Sequence, residues 1–393
     1  MTAPPQPLYL DHNATTPVAP EVIAAMVDAM QRVWANPSST HEPGQAARRL
    51  LADSRARIAG FLGCQGSELV FTSGATEANH TAVLGALAVA RGGPRRRLVL
   101  SAVEHPGLLT LAQRLRSEGV PVDLIPVDRQ GRLDLAAARV LIRDDVALLS
   151  VMGANNETGV LMPLAELAEL AHARGALLHA DATQLAGKSR LSFAHGGADL
   201  MSVSAHKLSG PKGVGALLVR KGLALPPLLP GRQERSRRGG TENLPGIAGF
   251  AAACECASAG LAEGIARQAS LRQRLEQGLL QALPGLHLYG HAAERLPNTV
   301  CLRFGALPSE QVLGKLERAG IVASSGAACT AGGTQPSHVL LAMGESALHA
   351  KAGVRFSLGR DTATADIERA IDAAVRVIGP LLAQAGESAA LAA

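Results

Sequence analysis

Residues 200–220 read LMSVSAHKLSGPKGVGALLVR, and their reading decides the fold. Two apolar, strand-like runs, 200–205 and 213–220, flank a polar loop rich in glycine and proline. Lys207 stands just past the first run, between His206 and that loop. A strand that ends in polar, chemistry-bearing residues and then turns is the mark of an α/β sheet, whose functional groups collect at the carboxyl ends of its strands. The second run, GVGALLVR, is expected as an edge or antiparallel element.

The same alternation extends toward the N-terminus. Strands are expected at 69–72, 97–102, 120–127, 146–152 and 176–181, with helices at 76–91, 106–118, 134–143 and 163–174 between them. Two helices, 17–33 and 45–62, come first, with apolar residues at about every third or fourth position. Strands separated by helices build βαβ units, so the fold expected is α/β with a mostly parallel seven-stranded sheet. The clusters SGAT, EH, NNE, DATQ and SAHK each follow a strand. From about residue 260 the texture changes. A helix at 264–282 leads to strands at 286–289 and 298–304, a helix at 309–319, strands at 321–323 and 353–358, and a helix at 364–384. The expected division is residues 1–15 as a segment packing with the small domain, 16–260 as the large domain and 261–393 as a smaller C-terminal α/β domain. The alanine-rich tail reads as frayed.

Composition bounds the function. A chain of 393 residues, 47% hydrophobic, has enough apolar matter for a large core in two domains. Aromatics are only 2%, so Leu, Val, Ile and Ala must fill it. The formal charge of +5 is spread along the chain, apart from one basic cluster, RQERSRR at 232–238. That cluster has no aromatic platform or basic helix beside it, so it reads as a solvated face and not as a nucleic-acid site. The apolar stretches are interrupted, which indicates no membrane span. TAPPQP at 2–7 is neither basic nor apolar enough for a secretory segment. The five cysteines (64, 254, 256, 301 and 329) are odd in number and irregularly spaced, which suits a reducing cytoplasm without disulfides. Cys254 and Cys256 lie in an Ala-rich helical pattern without the further ligands zinc needs, so packing is expected there and no metal site.

Each candidate site residue carries a plain reading beside a chemical one. Lys207 is a solvated loop lysine, or an amine held at a strand end for Schiff-base chemistry. Asp181 is a helix cap, or the carboxylate that a pyridoxal phosphate (PLP) enzyme pairs with its pyridinium nitrogen to keep the ring an electron sink. Gln184 has the reach to donate to the ring's phenolic oxygen. FTSGATEAN at 71–79 places a glycine turn before a helix, whose first amides form a phosphate cradle with the Thr76 hydroxyl; capping by Ser73 or Thr76 is the alternative. Ser204 and His206 complete that shell from across. The segment is neither GxGxxG nor a P-loop, which argues against a dinucleotide and ATP. His105 caps a helix, or stacks on a cofactor ring in a chain with few aromatics to do so. Cys329, in IVASSGAACTAGG at 321–333, sits among small and polar residues, poor company for a core filler.

Together the segments YLDHNATT, NPSSTHEPG, FTSGATEAN, VEHP, NNETG, DATQ, SAHKLSGPKG, RRGGTEN, SSGAAC and PSHVLLAMG resemble those of the cysteine desulfurases of the NifS/IscS-like type, PLP enzymes of aminotransferase class V and fold type I. They run in the family's order over nearly the whole chain. The resemblance implies that 16–260 is the PLP-binding domain and that 261–393 carries the catalytic-cysteine loop. It makes Lys207 the Schiff-base lysine, pairs Asp181 with the pyridine nitrogen and Gln184 with the phenolic oxygen, and stacks His105 on the ring, where it assists proton transfer. Ala75, Thr76, Ser204 and His206 hold the phosphate. Thr241 reaches the phosphate of the partner subunit's cofactor, which implies a homodimer. Asn156 lies against cofactor and substrate, Arg355 grips the substrate carboxylate as a bidentate fork, and Asn13 is near the same pocket. Cys329 becomes the persulfide carrier, and PSHVLLAMG fits the subgroup with the longer cysteine loop. The implied reaction turns L-cysteine into L-alanine and hands sulfur to an acceptor protein or thiol, an iron–sulfur scaffold protein among them. Two departures stand out: Ala327 where the family has serine, and His12 in HNATT where asparagine is frequent. A selenocysteine lyase or an aminotransferase on the same scaffold, a silent scaffold protein and a nucleic-acid module are the rival readings.

Overall fold

The computed structural model describes residues 7–326 and 335–391. The chain runs β1 (Leu8–Tyr9), α1 (Pro20–Arg32), α2 (Glu42–Leu62), β2 (Leu69–Thr72), α3 (Ala75–Val89), β3 (Arg97–Ser101), α4 (Pro106–Ser117), β4 (Val122–Ile125), α5 (Leu135–Leu141), β5 (Val146–Met152), α6 (Leu164–Ala173), β6 (Leu177–Asp181), β7 (Leu200–Ser204) and β8 (Gly215–Val219). Local chemistry sets several boundaries. The His41 ring accepts the Gly44 N–H at 3.2 Å, so α2 begins at Glu42, earlier than its apolar pattern implies. The Asp134 carboxylate accepts the Ala136 and Ala137 N–H groups and starts α5.

Strands β2 to β8 form one seven-stranded sheet in the order β2-β8-β7-β6-β5-β3-β4. Every residue of β5, β7 and β8 is buried, as expected of strands covered on both faces. The pairings β4–β3, β3–β5, β5–β6 and β6–β7 are parallel. Strand β8 is antiparallel to both neighbours and lies between β2 and β7, so it is not an edge. Residues 205–214 connect β7 to β8 and are too few for a parallel crossover, so the chain must fold straight back.

The remaining elements are α7 (Gln233–Ser236), α8 (Leu244–Ser258), α9 (Leu261–Ala282), β9 (Leu286–Leu288), β10 (Thr299–Phe304), α10 (Ser309–Arg318), β11 (Ile321–Val322), α11 (His338–Ala342), α12 (Ala347–Ala350), β12 (Gly353–Ser357) and α13 (Thr364–Leu391). Strands β9, β10 and β12 make an antiparallel sheet, and β1 pairs in parallel with β11. Leu8 and Leu10 therefore share a core with Leu275, Phe304, Phe356 and Ile378. Tyr289, Leu296 and Leu340 pack instead with the core of the large sheet. The tail is more regular than expected, since α13 continues to Leu391 through Pro380. No single described helix is long and apolar enough to cross a membrane.

The 232–238 cluster corrects its own sequence reading. It is a staple, not a solvated face. Glu234 is buried and accepts both the Arg55 guanidinium and the Phe71 N–H. Arg235 and Arg237 donate to the carbonyls of Gly66 and Ser67, and Arg238 pairs with Glu77 at 2.8 Å. The linear charge pattern could not show these partners, which come from α2, β2 and α3. To make the contacts, Glu234, Arg235 and Ser236 all adopt positive φ, +47°, +58° and +63°. Left-handed backbone is costly for residues with a Cβ. Ser236 is exposed, and its side chain makes no hydrogen bond among the described residues. Ser236→Gly should therefore raise Tm by about 1–2 °C, after allowing for glycine's greater freedom in the unfolded chain; a thermal unfolding scan of both proteins checks it.

Candidate active site

The carboxyl ends of β2, β3, β5, β6 and β7 open onto one cavity of about 530 Å³. Asp181, the last residue of β6, is buried in its wall. Its Oδ2 accepts from Asn79 Nδ2 at 2.7 Å and its Oδ1 from the Thr183 N–H at 3.0 Å. Two residues earlier on the same strand, His179 bridges Ser150 of β5 and Ser202 of β7, each at 2.8 Å. Burial pushes that imidazole down to about 4, so it ties three strands together as a neutral ring.

Lys207 follows β7 in a 3₁₀ turn, and its Nζ donates to the Ala14 carbonyl at 2.8 Å and to the Asn13 carbonyl. It is thus no solvated loop lysine. The same N-terminal segment is held by Thr16, whose Oγ1 donates to the His206 carbonyl at 2.8 Å. The His206 ring meets Thr15 Oγ1 at 3.1 Å. Burial, with Lys207, Lys212 and Lys188 nearby, pushes His206 down to about 4, so a neutral ring faces the cavity.

The turn expected to cradle a phosphate joins β2 to α3. Gly74 has φ +154°, and no side chain caps α3, so neither Ser73 nor Thr76 makes the capping contact considered above. The first-turn amides of α3 are left for a ligand. Strand β8 passes so near that a Cβ on Gly215 would lie 2.5 Å from the Val203 carbonyl oxygen and 2.8 Å from Gly74 Cα. Glycine at 215 is therefore a condition of the cradle. Ala75, Thr76 and Ser204 line the cavity beside it.

His105 makes the capping contact and also faces the cavity. Its Nδ1 accepts the Gly107 N–H at 3.2 Å, capping α4, while the ring lines the cavity. Burial lowers its pKa; Asp181 opposes the shift, and Lys207 and His338 reinforce it. Next to it, Glu104 is fully buried, accepts from Ser101 Oγ and the Met152 N–H, and is pushed up to about 8 by burial.

Asn13, Asn156, Gln184 and Arg355 complete the wall. Gln184 Nε2 donates to the Asn13 carbonyl at 3.0 Å. Arg355 donates through Nη1 to the Asn156 carbonyl at 2.9 Å and through Nη2 to Asp11 Oδ1 at 2.5 Å, while its Nε has no partner among the described residues. The expected fork is already partly engaged by Asp11. Thr241 lies outside this cavity, exposed, at the end of the loop that Arg238 fastens to Glu77.

Cys329 and Ala327 lie outside the described residues. Their described flanks converge on Glu157: Ser337 Oγ donates to its Oε2 at 2.6 Å, and a Cβ on Gly326 would lie 2.3 Å from the same oxygen. Gly326 itself lines the cavity. Burial raises the pKa of the Cys254 and Cys301 thiols and takes Cys64 to about 12, so none of these three is a ready nucleophile. Among the described residues no three His, Cys, Asp or Glu side chains are placed to hold a metal ion.

Three contributors escaped the sequence reading. Asn79 ends the FTSGATEAN motif one helical turn after Thr76, a spacing that puts both on one face of α3 and could have flagged it. Glu157 lies in NNETG and was given no role. Lys188 follows DATQ by four residues and has no motif of its own.

The donor set fits PLP: a buried carboxylate for the ring nitrogen, an amide for the phenolic oxygen, an amine at a strand end, an imidazole, and an uncapped helix start beside serine and a neutral histidine for the phosphate. Comparison with known proteins agrees. The aminotransferase class-V family matches residues 8–370. A cysteine desulfurase of Rhodobacter capsulatus is 49% identical over 367 residues, covering 93% of this chain and 94% of that protein. A solved NifS-like protein superposes with a TM-score of 0.89 at 32% identity, over 95% of this chain and 99% of its own. Another, described as SspA in complex with cysteine, gives a TM-score of 0.79 at 30% identity, over 91% of this chain and all (100%) of its own. With sequence, fold and cavity in accord, this chain belongs to the aminotransferase class-V family and, within it, to the NifS/IscS-like cysteine desulfurases.

Proposed function

We propose that the protein is a PLP-dependent cysteine desulfurase that converts L-cysteine to L-alanine and passes the sulfur, as a persulfide on Cys329, to an acceptor thiol. The observation that carries this reading is the single cavity joining Lys207, Asp181, Gln184 and His105 to the uncapped start of α3, with Gly326, close before Cys329, in its wall. We further propose a cytoplasmic homodimer in which Thr241 serves the partner's phosphate site, and an acceptor in iron–sulfur cluster or other thiocofactor assembly.

When bound, PLP supplies the electron sink that makes the substrate's Cα proton removable. Asp181 would hold the ring nitrogen, and Asn79 keeps that carboxylate in place. Lys207 would hold the cofactor through its Nζ, and the same amine is the group placed to take the substrate's Cα proton. His105 has Nδ1 occupied by the Gly107 N–H, which leaves Nε2 as the nitrogen that holds or moves a proton toward the cavity. Arg355, Asn156 and Asn13 position the substrate; Arg355 Nη1 and Nη2 each keep a second N–H beyond their bonds to Asn156 and Asp11, and these are the donors with capacity for its carboxylate. Cys329 Sγ, as thiolate, attacks the substrate sulfur. The new S–S bond forms as the substrate's C–S bond breaks. The electron pair stays with the three-carbon fragment, which takes up protons and leaves as L-alanine.

The test is Cys329→Ala. It should keep the bound cofactor and its visible absorbance, gain no sulfur mass on incubation with L-cysteine, and form alanine roughly 10²–10³-fold more slowly. Alanine formed at the parent rate would favour the lyase or aminotransferase reading.

A further inference from the structure

We propose that Lys188 is a positioning residue for the cofactor, fixing the Gln184 side chain so that its NH₂ group faces the phenolic oxygen; the inference rests on the PLP reading above. Lys188 is buried, 7% exposed. Its Nζ donates to Gln184 Oε1 at 2.6 Å and to Asn13 Oδ1 at 3.0 Å, and no carboxylate is among these partners. The nearby charges that act on it are Lys207 and Arg355, both cationic, and with burial they hold its pKa well below the ordinary value. A buried amine without a counter-ion is a costly group to keep, and only its two oxygen partners offset that cost.

The consequence for Gln184 follows from donor and acceptor counting. An amide flips readily unless one end is assigned by its surroundings. Charged or neutral, the Lys188 amine has N–H groups enough for both oxygens, so Gln184 Oε1 must be the end that faces it. The NH₂ end then turns the other way. In this structure it reaches the Asn13 carbonyl, the same oxygen that seats Lys207 Nζ. Lys188 does not itself line the cofactor cavity. It lines a neighbouring one of about 580 Å³, together with His12 and Arg360. Its effect on the cofactor must therefore pass through the two residues it holds, Gln184 and Asn13, and of these Gln184 is the one assigned to the phenolic oxygen. Without an N–H at position 188, only the Asn13 carbonyl still assigns the amide, and an amide turned the other way would set its oxygen toward a phenolic oxygen, where two acceptors would repel.

The experiment reconstitutes the full-length protein with PLP and reads cofactor affinity and the pH midpoint of the bound cofactor's visible absorbance. The variants are Lys188→Met, Lys188→Gln, Gln184→Ala and the double variant Lys188→Met with Gln184→Ala. Lys188→Met should weaken PLP binding roughly fivefold to tenfold, the worth of one hydrogen bond, and move the midpoint in the same direction as Gln184→Ala. The double variant should be no worse than Gln184→Ala alone, because the route through Gln184 is already removed; a further loss would mean that Lys188 acts through Asn13 instead. Lys188→Gln keeps an N–H donor and should restore both readouts; it also carries the test if the methionine variant does not fold. A wild-type affinity and midpoint in Lys188→Met, effects that add in the double variant, or a Lys188→Gln protein as impaired as Lys188→Met would each overturn the role. Failure of the wild-type protein to take up PLP would instead overturn the reading on which it rests.

Discussion

Lys207→Ala is expected to lower alanine formation from L-cysteine by roughly 10⁴-fold, with loss of the covalent cofactor band. The size of the effect follows from two jobs falling on one amine. In the proposed reaction Lys207 anchors the cofactor and takes the Cα proton, and both need an Nζ at the end of β7. The 3₁₀ turn 205–207 sets the side chain under the N-terminal segment, where the Asn13 and Ala14 carbonyls accept from its Nζ. Arginine at this position would keep the charge and lose the chemistry, since a guanidinium neither condenses with the cofactor nor releases a proton near neutral pH. Alanine production by chromatography and the visible spectrum of the purified variant check the result. A Lys207→Ala protein turning over near the parent rate would exclude this residue as the base and anchor.

Asp181→Ala should have the second largest effect, a fall of roughly 10²–10³-fold in turnover, the usual scale for removing one preorganised electrostatic partner of a transition state. The carboxylate is buried, and its two oxygens are occupied by Asn79 and the Thr183 amide. Those contacts fix its position, while its charge is what a ring nitrogen would meet. Asp181→Asn separates the two contributions, because it preserves the shape and removes the charge. It should lose nearly as much as alanine does. If asparagine instead restored most of the turnover, hydrogen bonding and not charge would be the operative interaction. Steady-state rates, with cofactor content measured on the same samples, distinguish slower chemistry from cofactor loss.

Much of the catalytic cavity is legible in the sequence because its residues sit at strand ends within short motifs. Period-two and period-3.6 patterns place the strands and helices, and polar clusters after strands mark one edge of the sheet. Lys207, Asp181, His105 and the Gly74 turn can all be found this way. Their supporting partners cannot. Asn79 meets Asp181 across 102 residues, Lys188 meets Asn13 across 175, and Arg355 meets Asp11 across 344. No local pattern encodes such distances.

The basic run at 232–238 shows the same limit from the other side. Its charges look solvated in one dimension and, Arg232 aside, prove to be pinned to α2, the loop after it, β2 and α3 in three, at the cost of three left-handed residues. The sequence by itself determined the alternating strands and helices from 69 to 181, most of the C-terminal elements, the α/β class, and which residue types stand at the strand ends, because burial periodicity and turn chemistry are local properties of the chain. Only the tertiary structure decided that β8 runs antiparallel inside the sheet, that Arg355 is already paired to Asp11, and that Lys188 stands behind Gln184. Those outcomes depend on which distant segments share a core, and that is settled by packing the whole chain at once.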